Sequence, residues 1–268
     1  MQYREIIDLE RYPLDQRESE SYLALVRKLR KELNQNQICT LPDFMQDSCR
    51  LKELESVQKT LPNANSARSF RNVYLERTET VGLSDAHPRN ILSEASYKMI
   101  GAHILSPQSA LKKLYYWQSF QQFVADIVGK DTIYPSDDPY QPVNILCHEP
   151  GDKSAWHFDS SNSFTMTLML QAPDRGGVFE LVPDIRSNDN PNINELSKVL
   201  LGDRKKVKTF ERNEGSLVIF RGCHSAHRVT EVTGSKPRFM CVMVYEDEPG
   251  VIGDPVVNET VYGIKPAG

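Results

Sequence analysis

The sequence lacks long apolar segments. No run approaches the roughly 18 apolar residues that a membrane helix needs. The first twenty residues, MQYREIIDLERYPLDQRESE, contain no apolar core of the kind found in secretion signals. Both absences argue against a membrane-bound or secreted protein, so we expect a cytoplasmic protein without a membrane partner.

Cysteines are few and show no ordered pattern. The five residues Cys39, Cys49, Cys147, Cys223 and Cys241 are scattered and odd in number, and no CxxC pair occurs. A disulfide framework or a zinc knuckle would need regularly spaced, paired cysteines. The pattern is typical of reduced thiols in an intracellular protein.

No basic block stands out either. The 268 residues include 32 basic and 36 acidic side chains, which gives a formal net charge of −4. A nucleic-acid-binding surface usually shows as clustered lysine and arginine. The charge balance therefore disfavours a nucleic-acid partner.

A chain of this length can bury a sizeable core.

Helical patterns dominate the first half of the chain. Apolar residues recur at helical spacing, which predicts four helices and a short strand after the first of them: helices at 20–37, 49–61, 90–104 and 107–129, and a strand at 38–44. Pro107 near the start and Gly129 at the end of the last segment are typical helix boundaries. The intervening segment 66–89 is polar and irregular.

Short strand-like runs replace this pattern after residue 136. Six runs are separated by turn residues, among them DRGG and NEG, which predict hairpins: 143–149, 163–171, 177–183, 206–211, 215–222 and 237–246. A helix is predicted at 193–205. In 163–171 the alternation places Phe164 and Met166 on one face and Thr165 and Thr167 on the other. Several short strands in a row predict a sandwich or jelly roll.

We predict a single domain over residues 1–268, an α+β fold with a mainly β core. Residues 1–135 would form helical support and a substrate-side segment, and 136–250 the jelly-roll core. Residues 251–268, rich in glycine and proline, would form a tail along the surface.

Only six histidines occur, and two of them stand in a pattern that suits a metal ion. In SAWHFDSSNSF, residues 154–164, His157 and Asp159 lie two apart, so on a strand they point to the same side. A third ligand, His227, follows the strand-like run GSLVIFRG. Two imidazoles and one carboxylate on one face of an octahedral metal leave three positions open, as in non-haem Fe(II) oxygenases.

Arg238 adds a second element, eleven residues after His227. A guanidinium at the mouth of a barrel is suited to hold a carboxylate in a two-pronged grip. The cosubstrate 2-oxoglutarate has such a distal carboxylate, and its 2-oxo acid end would chelate iron through two open positions. The last position would be left for O2.

These motifs, in this order and within short strands, resemble the Fe(II)/2-oxoglutarate-dependent oxygenase superfamily. The resemblance implies a double-stranded β-helix (cupin-like jelly roll), with N-terminal helices packed on it. It also implies iron ligands at His157, Asp159 and His227, and a 2-oxoglutarate carboxylate partner at Arg238. A ferryl intermediate, succinate and CO2 would follow from this chemistry.

A narrower resemblance covers roughly residues 85–250. The segments HPR, LYYW, DDP, WHFD, LMLQAPDRGGVFELVPDIRS and HRVTEVTGSKPRF are similar to the branch of BesD/HalD-type free-amino-acid halogenases and their relatives. This branch implies a free amino acid or a similar small molecule as substrate. Its halogenases have a small residue in place of the ligating carboxylate, which lets chloride bind iron. Because Asp159 occupies that place, we expect hydroxylation instead.

Other side chains are weaker candidates. Asn144 and Thr167 are strand positions suited to bind the cosubstrate, although ordinary polar strand residues would look the same. For an amino acid substrate, Arg89 would bind the carboxylate and Asp138 the amine, unless both are solvated loop residues. Val242 and Val244 are apolar where the binding of lysine would favour polar residues, which argues against lysine itself.

Several alternatives stay open from the sequence alone. His224 is a rival to His227 as iron ligand, although the spacing to Arg238 favours His227. His148 is expected to be a rim or core residue, and His87 and His103 structural residues. Trp156 is expected to be a packing residue.

The reaction and the assembly stay open as well. The same ferryl chemistry could end in desaturation, cyclisation or oxidative cleavage. A protein or nucleic-acid hydroxylase and a non-catalytic cupin-like binding protein are further alternatives, and fold alone does not exclude the latter. Whether the chain forms a homodimer is also open.

Overall fold

The computed structural model describes residues 1–159 and 164–263. Residues 160–163, in the middle of the SAWHFDSSNSF motif, and 264–268, at the end of the predicted tail, lie outside the described part. The α-helices within it are α1 Glu20–Asn36, α2 Asp47–Thr60, α3 Ala110–Tyr115, α4 Gln118–Val128, α5 Ile193–Leu200 and α6 Pro255–Tyr262. No helix in these two ranges is long and apolar enough to cross a membrane.

The strands form two main antiparallel sheets. Their bounds are β1 Ile38–Leu41, β2 Asn65–Arg71, β3 Ser93–Ile100, β4 Tyr134–Pro135, β5 Val143–His148, β6 Ser154–His157, β7 Thr165–Gln171, β8 Phe179–Val182, β9 Lys208–Phe210, β10 Leu217–Phe220, β11 Ala226–Val229, β12 Arg238–Met243 and β13 Tyr245–Glu246. The large sheet has the order β1-β10-β7-β12-β5-β3-β2, and the small sheet β6-β11-β8-β9. The remaining strands, β4 and β13, pair with each other.

From β5 to β12 the strands alternate between the two sheets, as the jelly-roll prediction requires, except that β8 and β9 both lie in the small sheet. The chain passes from β7 in the large sheet to β8 in the small sheet, and from β9 in the small sheet back to β10 in the large one. The turns DRGG and NEG make these two crossings, so the prediction of hairpins at these turns is wrong. Gly176, Gly177 and Gly215 have positive φ there, which glycine adopts without steric cost.

Helices α1 to α4 cover the outer face of the large sheet. In β7, Met166, Leu168 and Leu170 are fully buried in the same apolar cluster as the α1 residues Leu29 and Leu33. The alternation predicted for this strand is confirmed, because Thr165 and Thr167 line a cavity on the opposite face. Burial of one face therefore leaves the other free to build a site between the two sheets.

Two predictions for the first half are wrong. The predicted helix over 90–104 is mostly strand β3, and the supposedly irregular segment 66–89 begins with strand β2. Pairing of β3 with β5 and β2 overrides local helix propensity. β2 reads as polar because it is the edge strand of the large sheet, with alternating partly buried and exposed residues.

Two more elements differ from expectation. The predicted helix over 107–129 is divided into α3 and α4, because Trp117 has an extended backbone between them. Gly129 ends α4 in the left-handed conformation, as predicted. The tail forms helix α6, which contacts β2 and β3, and Val261 of α6 lines the cavity. The tail therefore contributes to the site.

Candidate metal centre

Strand pairing brings the two predicted histidine ligands together. His157 on β6 and His227 on β11 are direct cross-strand partners, and their ring centroids are 4.2 Å apart. Asp159 follows β6 on the same side. Its Oδ1 lies 3.7 Å from Nε2 of His157 and 3.3 Å from Nε2 of His227. One ligand atom from each residue lies within 4.8 Å of the others, a spacing that could hold one metal ion.

Both imidazoles are oriented through backbone carbonyl groups. Nδ1 of His157 lies 2.9 Å from the carbonyl oxygen of Ala155, and Nδ1 of His227 lies 3.0 Å from that of Ser225. A carbonyl can only accept, so each Nδ1 must carry the proton and donate. Each Nε2 is then left with a lone pair directed at the common centre, which is the arrangement that metal-binding histidines need.

The carboxylate of Asp159 is positioned from two sides. The hydroxyl of Thr165 donates to Oδ2, and the backbone N–H of Asp159 donates to the carbonyl of Gly222 over 3.1 Å. A Cβ atom added to Gly222 would lie 1.9 Å from Oδ2. Glycine at 222 therefore leaves the space that the carboxylate fills.

The three side chains of this cluster shift one another's pKa values. Burial, followed by the proximity of His227, lowers the pKa of His157 to about 4. Burial opposes ionisation of Asp159, yet the two histidines and Thr165 outweigh it and lower its pKa. Burial also opposes protonation of His227, but Asp159 outweighs it and raises its pKa. A metal ion and a proton would therefore compete for Nε2 of His227.

The other histidines lie away from this cluster. His224 faces Asn188, with its Nε2 3.2 Å from the amide oxygen, and is not among the three clustered ligands. His148 is fully buried and contacts the hydroxyl of Ser154, which agrees with a core residue. Nδ1 of His87 accepts from the N–H of Arg89, and His103 packs edge-on against Tyr140.

A cavity of about 330 Å³ extends from the three ligands into the space between the sheets. The small sheet contributes His157, Phe179 and His227, and the large sheet contributes side chains of the inner face: Asn144, Leu146, Thr165, Thr167, Arg238, Met240 and Val242. Trp156 is packed in an apolar cluster, as predicted, and also borders the cavity.

Arg238 lies inside the cavity and is almost fully buried. Nε and Nη1 of its guanidinium have no hydrogen-bond partner. Such a buried, unpaired cation is costly unless an anion binds it, so Arg238 is suited to receive a carboxylate. The hydroxyl of Thr167 accepts a hydrogen bond from Arg212. The side-chain N–H2 group of Asn144 donates to the carbonyl of Gln141 over 2.8 Å and to the hydroxyl of Tyr262 over 3.2 Å.

The two residues predicted to bind the substrate are engaged elsewhere. The guanidinium of Arg89 is paired with Glu76 and stacked 4.9 Å over the ring of Tyr74. It borders a second cavity, which meets the first at Asp159. The carboxylate of Asp138 is buried and accepts four hydrogen bonds, from Tyr140, Gln141, Gly253 and Asn258. Asp138 does not line the cavity beside the three ligands, whereas Arg89 lies on a cavity that includes Asp159. The substrate roles of both residues stay predictions.

A cation that the sequence analysis missed does face that space. Arg71, the last residue of β2, lines the cavity and is 9% exposed. Among the described residues its guanidinium donates only to neutral groups, the hydroxyls of Ser69 over 2.7 Å and Tyr97 over 3.3 Å. In the sequence, only the alternation of residues 65–71 pointed to Arg71. This alternation could not place Arg71 beside His157, because that position depends on the pairing of β2 with β3.

Comparison with known families agrees with this geometry. The family model described as Halogenase D matches residues 23–262, and the chain belongs to this family. This match confirms the resemblance inferred from the motifs. No protein of curated function matches the chain in sequence.

Solved structures share the fold at low identity. A prolyl hydroxylase from Trichoplax adhaerens, solved with a hypoxia inducible factor peptide, is 17% identical with a TM-score of 0.55, covering 85% of this chain and 91% of that one. A Burkholderia pseudomallei oxidoreductase of the 2OG-Fe(II) oxygenase family is 15% identical with a TM-score of 0.52, covering 84% and 92%. The epimerase SnoN in complex with Fe3+, alpha ketoglutarate and nogalamycin RO is 13% identical with a TM-score of 0.56, covering 87% and 93%. At these identities the likeness establishes the jelly-roll fold.

Proposed function

We propose that the chain is an Fe(II)- and 2-oxoglutarate-dependent oxygenase that hydroxylates an unactivated C–H bond of a free amino acid or a similar small metabolite. One observation carries the proposal: a three-ligand site that leaves one side open shares a cavity with a buried guanidinium that lacks an anion. Membership in the Halogenase D family supports it.

The residues fit the metal and the cosubstrate. His157, Asp159 and His227 would hold Fe(II) on one face, and Arg238 would bind the distal carboxylate of 2-oxoglutarate. The hydroxyl of Thr167 and the side chain of Asn144 also line the cavity. Bound iron would supply the activation of O2 that is coupled to the conversion of 2-oxoglutarate into succinate and CO2.

The carboxylate ligand supports hydroxylation rather than halogenation. Asp159 fills the position that a halide would need, and both Thr165 and the backbone of Gly222 hold it there. The name of the family does not decide this point, because one residue at this position separates the two reactions. Desaturation, cyclisation and oxidative cleavage would use the same residues and differ only in the product.

The lining of the cavity favours a substrate that carries a carboxylate and an uncharged chain. Arg71 offers a guanidinium without an acidic partner, while Leu75, Met99, Val242 and Val244 line the walls. Within the described part of the chain, Asp159 is the only acidic residue of this lining. A lysine ammonium group would therefore find no counter-charge, which agrees with the sequence argument against lysine.

Release of succinate tests the proposal. The iron-loaded protein is incubated with O2, 2-oxoglutarate and each free amino acid, and hits are examined by mass spectrometry. We expect a carboxylate substrate with a neutral side chain to raise succinate release and to gain one oxygen atom. A loss of two hydrogens would indicate desaturation or ring closure. Metal binding without affinity for 2-oxoglutarate would instead favour a non-catalytic cupin-like protein.

A further inference from the structure

Two buried guanidiniums, not one, line the cavity. Arg238 begins β12, and Arg212 lies in the connection between β9 and β10. They are 2% and 8% exposed. Each has two guanidinium nitrogens, Nε and Nη1, that are buried and have no hydrogen-bond partner.

The surroundings of Arg212 are neutral. Its Nη2 donates to the hydroxyl of Thr167 and lies 3.8 Å from the sulfur of Met240. Its Cζ lies 4.9 Å from the ring centroid of Phe179. None of these groups cancels a positive charge, although all three also line the cavity.

Of the acidic residues around Arg212, Glu211 directly precedes it and is exposed, whereas Glu180 and Glu214 serve other cations. Glu180, next to Phe179, pairs with Arg204 and Arg228. Glu214, two residues after Arg212, pairs with Arg50 and Lys236. Neither forms an ion pair with Arg212 or Arg238 in the described part of the chain.

Arg50 is a buried arginine with a structural role, and its charge is paired with carboxylates. It is 6% exposed, pairs with Asp47 and Glu214, and donates to the carbonyl oxygen of Leu170 over 2.9 Å. Arg212 and Arg238 are equally buried but lack such partners. Two like charges that line one cavity away from water are costly unless an anion joins them.

Both guanidiniums remain cationic at neutral pH. Burial, followed by the proximity of Arg238, lowers the pKa of Arg212 to about 9, and burial lowers that of Arg238 to about 10. These values lie above 7. The cavity is therefore lined by two positive charges and a hydroxyl that can still donate its proton.

We propose that Arg212 is a second residue that binds the cosubstrate, so that the distal carboxylate of a short dicarboxylate lies between two guanidiniums and receives a hydrogen bond from Thr167. This inference rests on the proposed use of 2-oxoglutarate. In the ligand-free protein the paired charges oppose stability, and a dicarboxylate relieves them. Affinity for the cosubstrate and stability of the free protein should then respond in opposite directions when Arg212 is neutralised.

The test compares R212M, R212K and the control R27M, which removes an exposed charge from α1. Metal-free full-length protein is titrated with glutarate and with 2-oxoglutarate, and both affinity and thermal midpoint are measured. For R212M we expect the affinity for both ligands to fall by roughly tenfold or more, because a charge-assisted hydrogen bond to a buried carboxylate is lost. We also expect a thermal midpoint without ligand equal to or above that of the wild type.

Two matched arms sharpen the test. R212K keeps the charge but loses the planar fork, so its affinity should lie between those of wild type and R212M. Pyruvate has the 2-oxo acid end without a distal carboxylate, so R212M loaded with Fe(II) in the absence of O2 should bind it as the Fe(II)-loaded wild type does. R27M should match the wild type throughout.

Wild-type affinity of R212M for glutarate and 2-oxoglutarate would overturn the proposal. So would a ligand-free midpoint below that of R27M with unchanged affinity in the folded fraction, since that result describes a structural arginine. Failure of the oxygenase proposal is distinguishable: glutarate binding would still depend on Arg212, but no succinate would be released with iron, O2 and any substrate.

Discussion

At the residue scale, the proposed chemistry depends most on Asp159. Its carboxylate lies within reach of both histidines and is held by Thr165. A neutral residue at this position would leave the two imidazoles without the negative charge that favours a divalent cation. The reaction class and the affinity for metal therefore depend on the same side chain.

Replacing Asp159 with alanine should reduce substrate hydroxylation at least about 100-fold, because one of three metal ligands is lost. Fe(II) titration measures the affinity for metal, and succinate assays measure the turnover. D15A, at an exposed position, is the control and should behave as the wild type. Unchanged hydroxylation in D159A would show that this carboxylate is not a ligand.

Gly222 is predicted to support metal binding only by leaving room for the carboxylate of Asp159. In G222A the new methyl group would collide with Oδ2 of Asp159, so the carboxylate must turn away from the histidines. We expect weaker Fe(II) binding, measured by titration, with a thermal midpoint close to that of the wild type. If G222A binds Fe(II) as tightly as the wild type, the carboxylate has room that the structure does not show.

At the element scale, the C-terminal helix α6 is fastened by a buried carboxylate. Asp138 accepts from the N–H of Gly253 over 3.0 Å and from the side chain of Asn258 over 2.6 Å. Tyr262, at the end of α6, accepts a hydrogen bond from Asn144 on the cavity wall. The residue predicted to bind an amine therefore supports the site indirectly.

D138A should loosen α6 and destabilise the protein by about 2 kcal/mol or more, because four buried donors lose their acceptor. Thermal unfolding and limited proteolysis of the tail measure this change. D137A is a matched control, since the neighbouring side chain is exposed. Equal proteolysis of the two variants would contradict the role of Asp138 as an anchor.

Sequence patterns predicted the cluster of His157, Asp159 and His227 because strand alternation is local. His157 and Asp159 share a side by spacing alone, and the distance from His227 to Arg238 distinguished His227 from His224. Arg71 and Arg212 were missed because their positions depend on non-local structure. Arg71 reaches the cavity only through the pairing of β2 with β3, and Arg212 only through a crossing between sheets.

At the scale of the whole molecule, the large sheet unites both halves of the sequence. Three of its seven strands, β1, β2 and β3, precede residue 136, and the other four follow it. The predicted division at 135/136 therefore passes through one sheet. We propose that the chain is a single domain, since neither half contains the complete sheet.

A single domain should unfold in one cooperative transition. Calorimetry of the metal-free protein, compared with unfolding followed by circular dichroism, tests this expectation. Coincident midpoints and one heat-absorption peak are the expected result. Two separate peaks would show that the helical half and the β core are independent units.

The most direct test of the proposed centre is absorption spectroscopy under anaerobic conditions. Fe(II) and then 2-oxoglutarate are added to the wild-type protein, with D159A and R238M in parallel. If His157, Asp159, His227 and Arg238 together hold both molecules, a visible charge-transfer band should appear in the wild type and be strongly weakened in both variants. A wild type that binds Fe(II) but gives no band with saturating 2-oxoglutarate would contradict the proposed oxygenase.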